Sequence, residues 1–261
     1  MRHLTANGVS TAYDVTGSGP PLVLIHGAEA DSRMFGPLAG LLAARAAVIV
    51  YDQRDCGLTR HAVDTYTLAD MADDAAALID GLGFGPAHVF GQSLGGMIAQ
   101  VLAVRHPDRV DRLVLGSTMR IGSALPELNP AAARAVLACR AEGEAGVAKL
   151  AALFTTSQFV AETPGFVEVW RGIAPITTAE QRARRMAAIR RPIVPVDLAR
   201  IECPTLVLVG DGDQVVPPAH TRSIAEAIPG AVCRVMPGVG HVGPLQAPDL
   251  VAKEIATFLH V

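Results

Sequence analysis

Aromatic residues are scarce in this chain, because phenylalanine, tyrosine and tryptophan together make up 4% of its 261 residues. A strong charge of either sign is also lacking, since 22 lysines and arginines are balanced by 25 aspartates and glutamates, for a net charge of −3. Nucleic-acid-binding domains ordinarily carry an excess of clustered basic residues. We therefore expect no nucleic acid among the partners of this protein.

Cysteines are few and widely spaced, and the four of them are Cys56, Cys139, Cys203 and Cys233. No CxxC pair and no metal-ligand spacing occurs, which predicts reduced thiols, no metal site and no cofactor. No apolar run reaches the ~18 residues that a membrane span needs. The N-terminus has no basic stretch followed by a long apolar run, as a signal peptide would. The sequence thus favours a cytoplasmic protein without a membrane partner.

Apolar residues make up 50% of the chain, and 261 residues are enough to bury one large core. Apolar runs typical of buried strands alternate with helical patterns, which predicts an α/β fold. We expect a mostly parallel eight-stranded sheet with helices on both faces. The predicted strands cover residues 2–6, 9–15, 22–26, 47–52, 87–91, 110–117, 204–210 and 232–236, and the helices that alternate with them cover 34–43, 68–82, 94–105, 219–228 and 248–258.

The alternation of strands and helices stops after Ser117, and the next buried-strand pattern begins only at Pro204. A crossover between parallel strands needs about a dozen residues or somewhat more. The excess is rich in alanine and arginine and carries several helical patterns. The sequence therefore predicts a helical cap or lid over residues 119–200, inserted into a core made of residues 1–118 and 201–261.

The most informative motif is Gly91-Gln92-Ser93-Leu94-Gly95, which lies between a predicted strand and a predicted helix. A serine hydroxyl becomes a useful nucleophile when a tight strand-to-helix turn exposes it, and glycines make such a turn feasible. The amides at the N-terminus of the following helix point toward the place where negative charge develops. This pattern predicts that Ser93 is a nucleophile.

A serine nucleophile needs a base, an acid that orients the base, and donors for the oxyanion. Asp211 and Asp213 directly follow one predicted strand, and His241 follows the next. The C-terminal ends of parallel strands lie at one edge of a sheet, so we expect these side chains to meet the serine there. The backbone N–H groups of Ala28 and Leu94 are the expected oxyanion donors, because each follows a predicted strand at that edge.

Five short motifs span nearly the whole chain outside the predicted cap. They are His26-Gly27, Asp52-Gln53-Arg54, Gly91-Gln92-Ser93-Leu94-Gly95-Gly96, Gly210-Asp211-Gly212-Asp213-Gln214-Val215-Val216-Pro217 and Gly240-His241. In this order they resemble the α/β-hydrolase superfamily, above all its compact bacterial esterases, enol-lactonases and perhydrolase-type haloperoxidases. The resemblance implies that Ser93 is the nucleophile, that Asp213 rather than Asp211 is the acid, that His241 is the base, and that Ala28 and Leu94 form the oxyanion hole.

Two positions depart from that family. The glycine that often follows Asp-x-Arg is replaced by Asp55 and then Cys56, and the histidine that often precedes the nucleophile is replaced by Gln92. We expect these changes to alter the pocket wall or the rigidity of the turn. Cys56 is interpreted as a packed residue rather than a second nucleophile, and His26 as a structural residue that hydrogen-bonds its loop.

The predicted cap offers further candidates. An arginine-rich stretch over residues 182–191 is interpreted as a solvated helix face, and the alternative is that one arginine turns inward to bind a substrate carboxylate. Phe154, Trp170 and Met186 are expected to pack the cap or to line an apolar acyl pocket.

Taken with the resemblance, the sequence predicts a cofactor-free serine hydrolase that cleaves a small carboxylic ester or lactone through an acyl-enzyme on Ser93. The same three residues would also serve a carbon–carbon bond hydrolase acting on a diketone, or a perhydrolase. A ligand receptor on this fold would keep them without turnover. The expected partner is the small-molecule substrate, and the sequence leaves the oligomeric state open.

Overall fold

The structure, a computed structural model, describes residues 1–193 and 195–261. One sheet extends through the whole molecule, and its strands coincide closely with the predicted apolar runs. They are β1 Arg2–Ala6, β2 Val9–Thr16, β3 Pro21–Ile25, β4 Ala47–Tyr51, β5 Arg60–His61, β6 Ala87–Gln92, β7 Val110–Gly116, β8 Thr205–Gly210 and β9 Val232–Met236.

The strand order is β1-β2-β4-β3-β6-β7-β8-β9, with β5 paired to β2 beside this path. Strand β2 is antiparallel to β1 and β4, whereas the pairs from β4 through β9 are parallel. The predicted mostly parallel eight-stranded sheet is therefore confirmed. Strand β5 is additional, and two residues are too few to show an apolar periodicity in the sequence.

Helices cover both faces of this sheet, as the α/β prediction requires. They are α1 Gly36–Leu42, α2 Leu68–Gly81, α3 Leu94–Arg105, α4 Leu125–Leu128, α5 Pro130–Ala141, α6 Val147–Phe154, α7 Ser157–Glu162, α8 Phe166–Gly172, α9 Ala179–Arg190, α10 Pro218–Ala227, α11 Gly243–Gln246 and α12 Pro248–Leu259. Residues of α2, α3 and α10 share one apolar core, and residues of α1 and α12 share the other. None of the helices in the described part of the chain has the length and apolar character needed to cross a membrane.

Helices α4 to α9 all lie in the long connection between β7 and β8. Apolar side chains of this connection, including Phe154, Phe166 and Trp170, belong to the same core as Met34 and Leu245. The connection is thus packed onto the sheet-and-helix framework through apolar contacts, which are the main source of stabilisation between secondary-structure layers.

The parallel pairing brings the C-terminal ends of β3, β6, β7 and β8 to one edge of the sheet. Strand β9 runs parallel to β8 and ends at the same edge. Side chains just beyond these strand ends therefore come together although they are far apart in sequence. Open α/β sheets bind their ligands at this edge.

Candidate active site

Ser93 occupies the turn between β6 and α3 and has φ 55° and ψ −118°. This backbone conformation is uncommon for a residue with a side chain, and it exposes the hydroxyl between strand and helix. Glycines on either side make the turn feasible. A Cβ on Gly91 would overlap the carbonyl oxygen of Gly95, and a Cβ on Gly95 would overlap the carbonyl oxygen of Ile25. Strand and helix can approach this closely only because both side chains are absent.

The structure brings Ser93, Asp213 and His241 into one hydrogen-bonded chain. His241 Nε2 lies 2.9 Å from Ser93 Oγ, and His241 Nδ1 lies 2.9 Å from Asp213 Oδ2. His241 and Asp213 are buried, with 1% and 7% of their surface exposed. An Nδ1–H that donates to the carboxylate leaves Nε2 as the acceptor of the serine proton. This arrangement has the geometry that nucleophilic catalysis by serine requires.

The two aspartates after β8 occupy different environments. Asp213 turns one carboxylate oxygen toward His241, and its Oδ1 accepts hydrogen bonds from the amides of Val215 and Val216 at 2.8 and 2.9 Å. Asp211 Oδ1 instead accepts from the backbone N–H of Gly238 at 2.6 Å. Asp211 therefore connects the loop after β8 to the loop after β9, whereas the carboxylate of Asp213 is held in contact with the imidazole.

The loop after β3 lies beside the serine. Gly27 and Ala28 line the same cavity as Ser93, and an added Cβ on Gly27 would lie 3.9 Å from Ser93 Oγ. Leu94 is the first residue of α3, so its amide is one of those left without a partner inside the helix. No described residue accepts a hydrogen bond from the backbone N–H of Ala28 or Leu94. Amides without an intramolecular acceptor are what an oxyanion hole requires.

A cavity of about 310 Å³ opens beside Ser93 and His241. Phe154 and Trp170 line it, as predicted for an apolar pocket, whereas Met186 is not among its lining residues in the described part of the chain. The other lining side chains could not be predicted, because isolated residues in loops and short helices show no periodicity. These residues are Glu29, Ala30, Met34, Ile173, Val242 and Leu245.

Gln92, the departure that precedes the nucleophile, links two loops of the site. Its Nε2 donates to the backbone carbonyl of His241 at 2.6 Å, and only 1% of its surface is exposed. The buried amide thus connects the serine turn directly to the loop that carries the histidine. The glutamine amide supplies a donor and does not titrate near neutral pH.

His26 hydrogen-bonds its own loop. Its Nδ1 lies 2.9 Å from Gly27 O, and the backbone N–H of Gln53 lies 3.3 Å from its Nε2. Complete burial, with a smaller contribution from the positive charge of Arg185, lowers the pKa of His26 to about 3. The ring is therefore neutral at physiological pH, and its partners assign the proton to Nδ1, because Nε2 accepts from an amide.

The other departure, Asp55-Cys56, has two separate consequences. Burial raises the pKa of Cys56 to about 11, and its Sγ lies 3.5 Å from Ala30 O, as expected for a packed thiol. Asp55 adopts φ 56°, a region that favours glycine. Its buried carboxylate is held by Tyr66 Oη at 3.0 Å and by Arg184 Nη2 at 2.6 Å. The aspartate thereby connects the loop after β4 to helix α9.

The interpretation of residues 182–191 as a solvated face is wrong for Arg185. This side chain is 3% exposed and turns inward, toward the loop after β3. Helix α9 contains few large apolar residues, so its sequence pattern does not reveal which face is buried. An ion pair that the sequence did not predict joins Arg140 of α5 to Glu29, one of the cavity-lining residues.

Within the described residues, no group of three or more histidine, cysteine, aspartate or glutamate side chains converges in a way that would hold a metal ion. The polar side chains that line the cavity in the described part of the chain are instead those of Glu29, Gln92, Ser93 and His241.

The sequence and fold match one known family. A family model described as the alpha/beta hydrolase fold matches residues 20–248, which is most of the chain. The chain belongs to the alpha/beta hydrolase family. The resemblance inferred from the sequence motifs is therefore confirmed.

Individual relatives are similar over nearly their whole length. The rhodomycin D methylesterase of Streptomyces peucetius is 31% identical over 273 residues, covering 90% of this chain and 89% of the relative. The crystal structure of the enol-lactonase from Burkholderia xenovorans LB400 has a TM-score of 0.85 at 28% identity, covering 99% of this chain and all (100%) of that one. A thermophilic esterase from Thermogutta terrifontis has a TM-score of 0.82 at 29% identity, with 97% and 93% covered. These homologues are hydrolases, which supports an enzyme of the hydrolase type.

Proposed function

We propose that this protein is a serine hydrolase that cleaves a small carboxylic ester or lactone through an acyl-enzyme on Ser93. The observation that carries the proposal is the hydrogen-bonded chain from Asp213 through His241 to Ser93, which ends at a cavity. The relatives that are a methylesterase, an esterase and an enol-lactonase support ester or lactone bonds as the target.

In the proposed reaction the Ser93 hydroxyl attacks the substrate carbonyl while His241 Nε2 takes the hydroxyl proton. Asp213 holds Nδ1–H, which fixes the tautomer and stabilises the imidazolium that forms. The amides of Ala28 and Leu94 bind the oxygen of the tetrahedral intermediate, and His241 then protonates the leaving alcohol. Water activated by His241 attacks the acyl-enzyme, which releases the acid and restores the serine hydroxyl.

The cavity supports a compact, uncharged and largely apolar substrate group. Its lining is narrow and mostly apolar, and the side chains of Phe154, Trp170 and Leu245 stand around the nucleophile. Glu29, the one carboxylate among the described residues that line the cavity, is paired with Arg140. Burying a charged substrate group against an apolar wall without a dedicated partner costs free energy. The apolar wall is formed by Ala30, Met34, Phe154, Trp170, Ile173, Val242 and Leu245.

We further propose that residues 119–200 form a cap over the core made of residues 1–118 and 201–261. Phe154, Trp170 and Ile173 from this segment line the cavity together with Ser93 and His241, which supports a cap that closes one side of the site. In this arrangement the cap selects the substrate and the core supplies the chemistry.

A fluorophosphonate probe tests the proposed nucleophile. Such a probe reacts with an activated serine and leaves a stable covalent adduct, so we expect rapid labelling of the wild-type protein at Ser93, located by peptide mass spectrometry. The Ser93→Ala variant should fold normally, resist labelling, and show no turnover of a short-chain nitrophenyl ester. Absence of labelling in the wild-type protein would instead favour a ligand receptor, and would end the proposal.

The bond that is cleaved is tested by a substrate screen. We expect turnover of short nitrophenyl esters or lactones, with Ser93→Ala as the matched inactive control. Thioesters, peracid formation and a vinylogous diketone belong in the same screen, because the same residues serve those reactions. Labelling at Ser93 combined with turnover of the diketone alone would retain the nucleophile and contradict the ester or lactone assignment.

A further inference from the structure

Arg185 is a buried cation that the proposed mechanism does not use. It lies in the middle of α9, and 3% of its surface is exposed. Its Nη2 donates to Gln53 Oε1 at 2.6 Å and to Gly27 O at 3.2 Å, and its Nη1 lies 3.4 Å from Ala28 O. Among the described residues no carboxylate forms an ion pair with it, and its Nε has no hydrogen-bond partner. Burying such a group is costly, so packing alone does not account for it.

The hydrogen bond to Gly27 O acts on the peptide group next to the nucleophile. The carbonyl of Gly27 and the N–H of Ala28 belong to the same planar trans peptide, so they point in opposite directions. A donor fixed at the carbonyl therefore orients the N–H at the other end. It also withdraws electron density from the peptide, which strengthens the N–H as a donor.

A second donor acts on the same carbonyl. Neutral His26 donates its Nδ1–H to Gly27 O at 2.9 Å. Gln53 completes the network, because its Oε1 accepts from Arg185 while its Nε2 donates to the carbonyl of His26 at 2.6 Å. The consecutive carbonyls of His26 and Gly27 thus each accept a hydrogen bond from a buried side chain.

We propose that Arg185 is a positioning residue for the oxyanion hole, which orients and polarises the Gly27–Ala28 peptide so that the Ala28 N–H binds the developing negative charge. This inference rests on the proposed function. Arg185 is not among the residues that line the cavity, so it acts through the peptide and not by contact with substrate. Because it belongs to α9, the segment between β7 and β8 contributes to the chemistry as well as to the cavity wall.

The test compares Arg185→Met with Arg184→Met on an uncharged nitrophenyl butyrate. Arg184 is the adjacent residue of the same helix and pairs with Asp55, so its loss weakens the attachment of α9 without touching the peptide. We expect Arg185→Met to lower kcat about tenfold or more with KM nearly unchanged, which is less than the ~10²–10³ loss when an oxyanion donor is removed outright. Arg184→Met should keep the wild-type kcat and lower only the melting temperature.

A trifluoromethyl ketone gives an independent readout, because its adduct with the serine places an oxyanion in the hole. Its affinity should fall in Arg185→Met by the same factor as kcat/KM, and stay unchanged in Arg184→Met. Should Arg185→Met fail to fold, Arg185→Lys carries the test: it keeps the cation with a single-point donor, so kcat should fall severalfold at an unchanged KM.

Two results would overturn the inference. One is a folded Arg185→Met or Arg185→Lys variant with wild-type kcat and wild-type ketone affinity. The other is a defect confined to the KM of an ester that carries a carboxylate, which would make Arg185 a substrate ligand. Fluorophosphonate labelling of the wild-type protein separates these failures from failure of the proposed function, because labelling depends on Ser93 and His241 even when Arg185 has no role.

Discussion

At the scale of single residues, the two aspartates after β8 show how position decides role. Both follow the same strand within three residues, yet only Asp213 reaches the imidazole, while Asp211 holds the backbone of Gly238. The sequence motif placed both near the site. The choice between them came from resemblance, because the direction of a loop side chain is set by neighbouring hydrogen bonds that the sequence does not display.

Replacing each aspartate by asparagine separates the two roles. Asp213→Asn places an NH₂ group or a weaker acceptor against Nδ1 and disturbs the tautomer of His241, so kcat should fall by roughly 10⁴. Asp211→Asn keeps a carbonyl oxygen for Gly238 and should keep nearly wild-type kcat. Steady-state kinetics on a nitrophenyl ester, with circular dichroism to verify folding, provide the measurement. Equal losses in the two variants would contradict the assignment of the acid.

At the scale of secondary-structure elements, the sequence predicted most of the sheet and little of helix α9. The strands were readable because both faces are buried, so each appears as a short apolar run between turn residues. Helix α9 buries Arg185 and Ala188 instead of a stripe of large apolar side chains. Its orientation depends on polar contacts with distant loops, and these exist only after the chain has folded.

The contact between β3, β6 and α3 depends on glycine, and a pair of substitutions tests it. Gly95→Ala would drive a methyl group into the carbonyl oxygens of Ile25 and His26, so we expect a loss of about 3 kcal/mol or more in unfolding free energy. Gly40 lies in α1 with nothing within 4 Å of an added Cβ. Gly40→Ala should therefore stabilise the protein by roughly 0.5–1 kcal/mol.

Urea unfolding of both glycine variants, followed by circular dichroism, is the measurement. Both substitutions add one methyl group to a helix. The opposite signs expected for the change in unfolding free energy therefore make each variant a control for the other. A Gly95→Ala variant as stable as the wild-type protein would mean that strand and helix do not approach each other as closely as described.

At the scale of the whole molecule, the stability should depend on pH through His26. In the unfolded chain this histidine takes up a proton near its ordinary pKa of 6.5, whereas in the folded protein burial lowers the pKa to about 3. The unfolded state therefore binds more protons between these values. The contribution of neutral His26 to the free energy of unfolding should be fully present above pH 6.5, and it should fall by about 1.4 kcal/mol for each pH unit between there and the folded pKa of about 3.

His26→Asn isolates this contribution, because an asparagine amide keeps a donor near Gly27 O without titrating. Between pH 6.5 and 4.5 the unfolding free energy of the variant should decline less steeply than that of the wild-type protein, by about 1 kcal/mol per pH unit. Urea titrations at several pH values measure both slopes. His88 and His220, whose pKa values burial also lowers, are common to both proteins. Parallel pH profiles would show that His26 is not protonated on unfolding.

More of the organisation of the whole molecule than of the site could be predicted from the sequence. The order of apolar runs was enough to predict the parallel sheet, and the interruption after Ser117 falls where helices α4 to α9 lie between β7 and β8. The meeting of Ser93, Asp213 and His241 could be expected because parallel strands share one edge. The ion pairs from Arg140 and Arg184 could not, since both arginines lie within helices and neither follows a strand end that would fix its position.

The backbone at Ser93 has one further implication, for laboratory evolution. Its φ and ψ angles of 55° and −118° suit glycine better than any residue with a Cβ, and such strain costs on the order of 1–3 kcal/mol. Screening random variants for heat resistance alone would reward replacing this serine with glycine, which relaxes the turn and deletes the hydroxyl. The conformation that exposes the hydroxyl is thus retained only while selection also demands turnover.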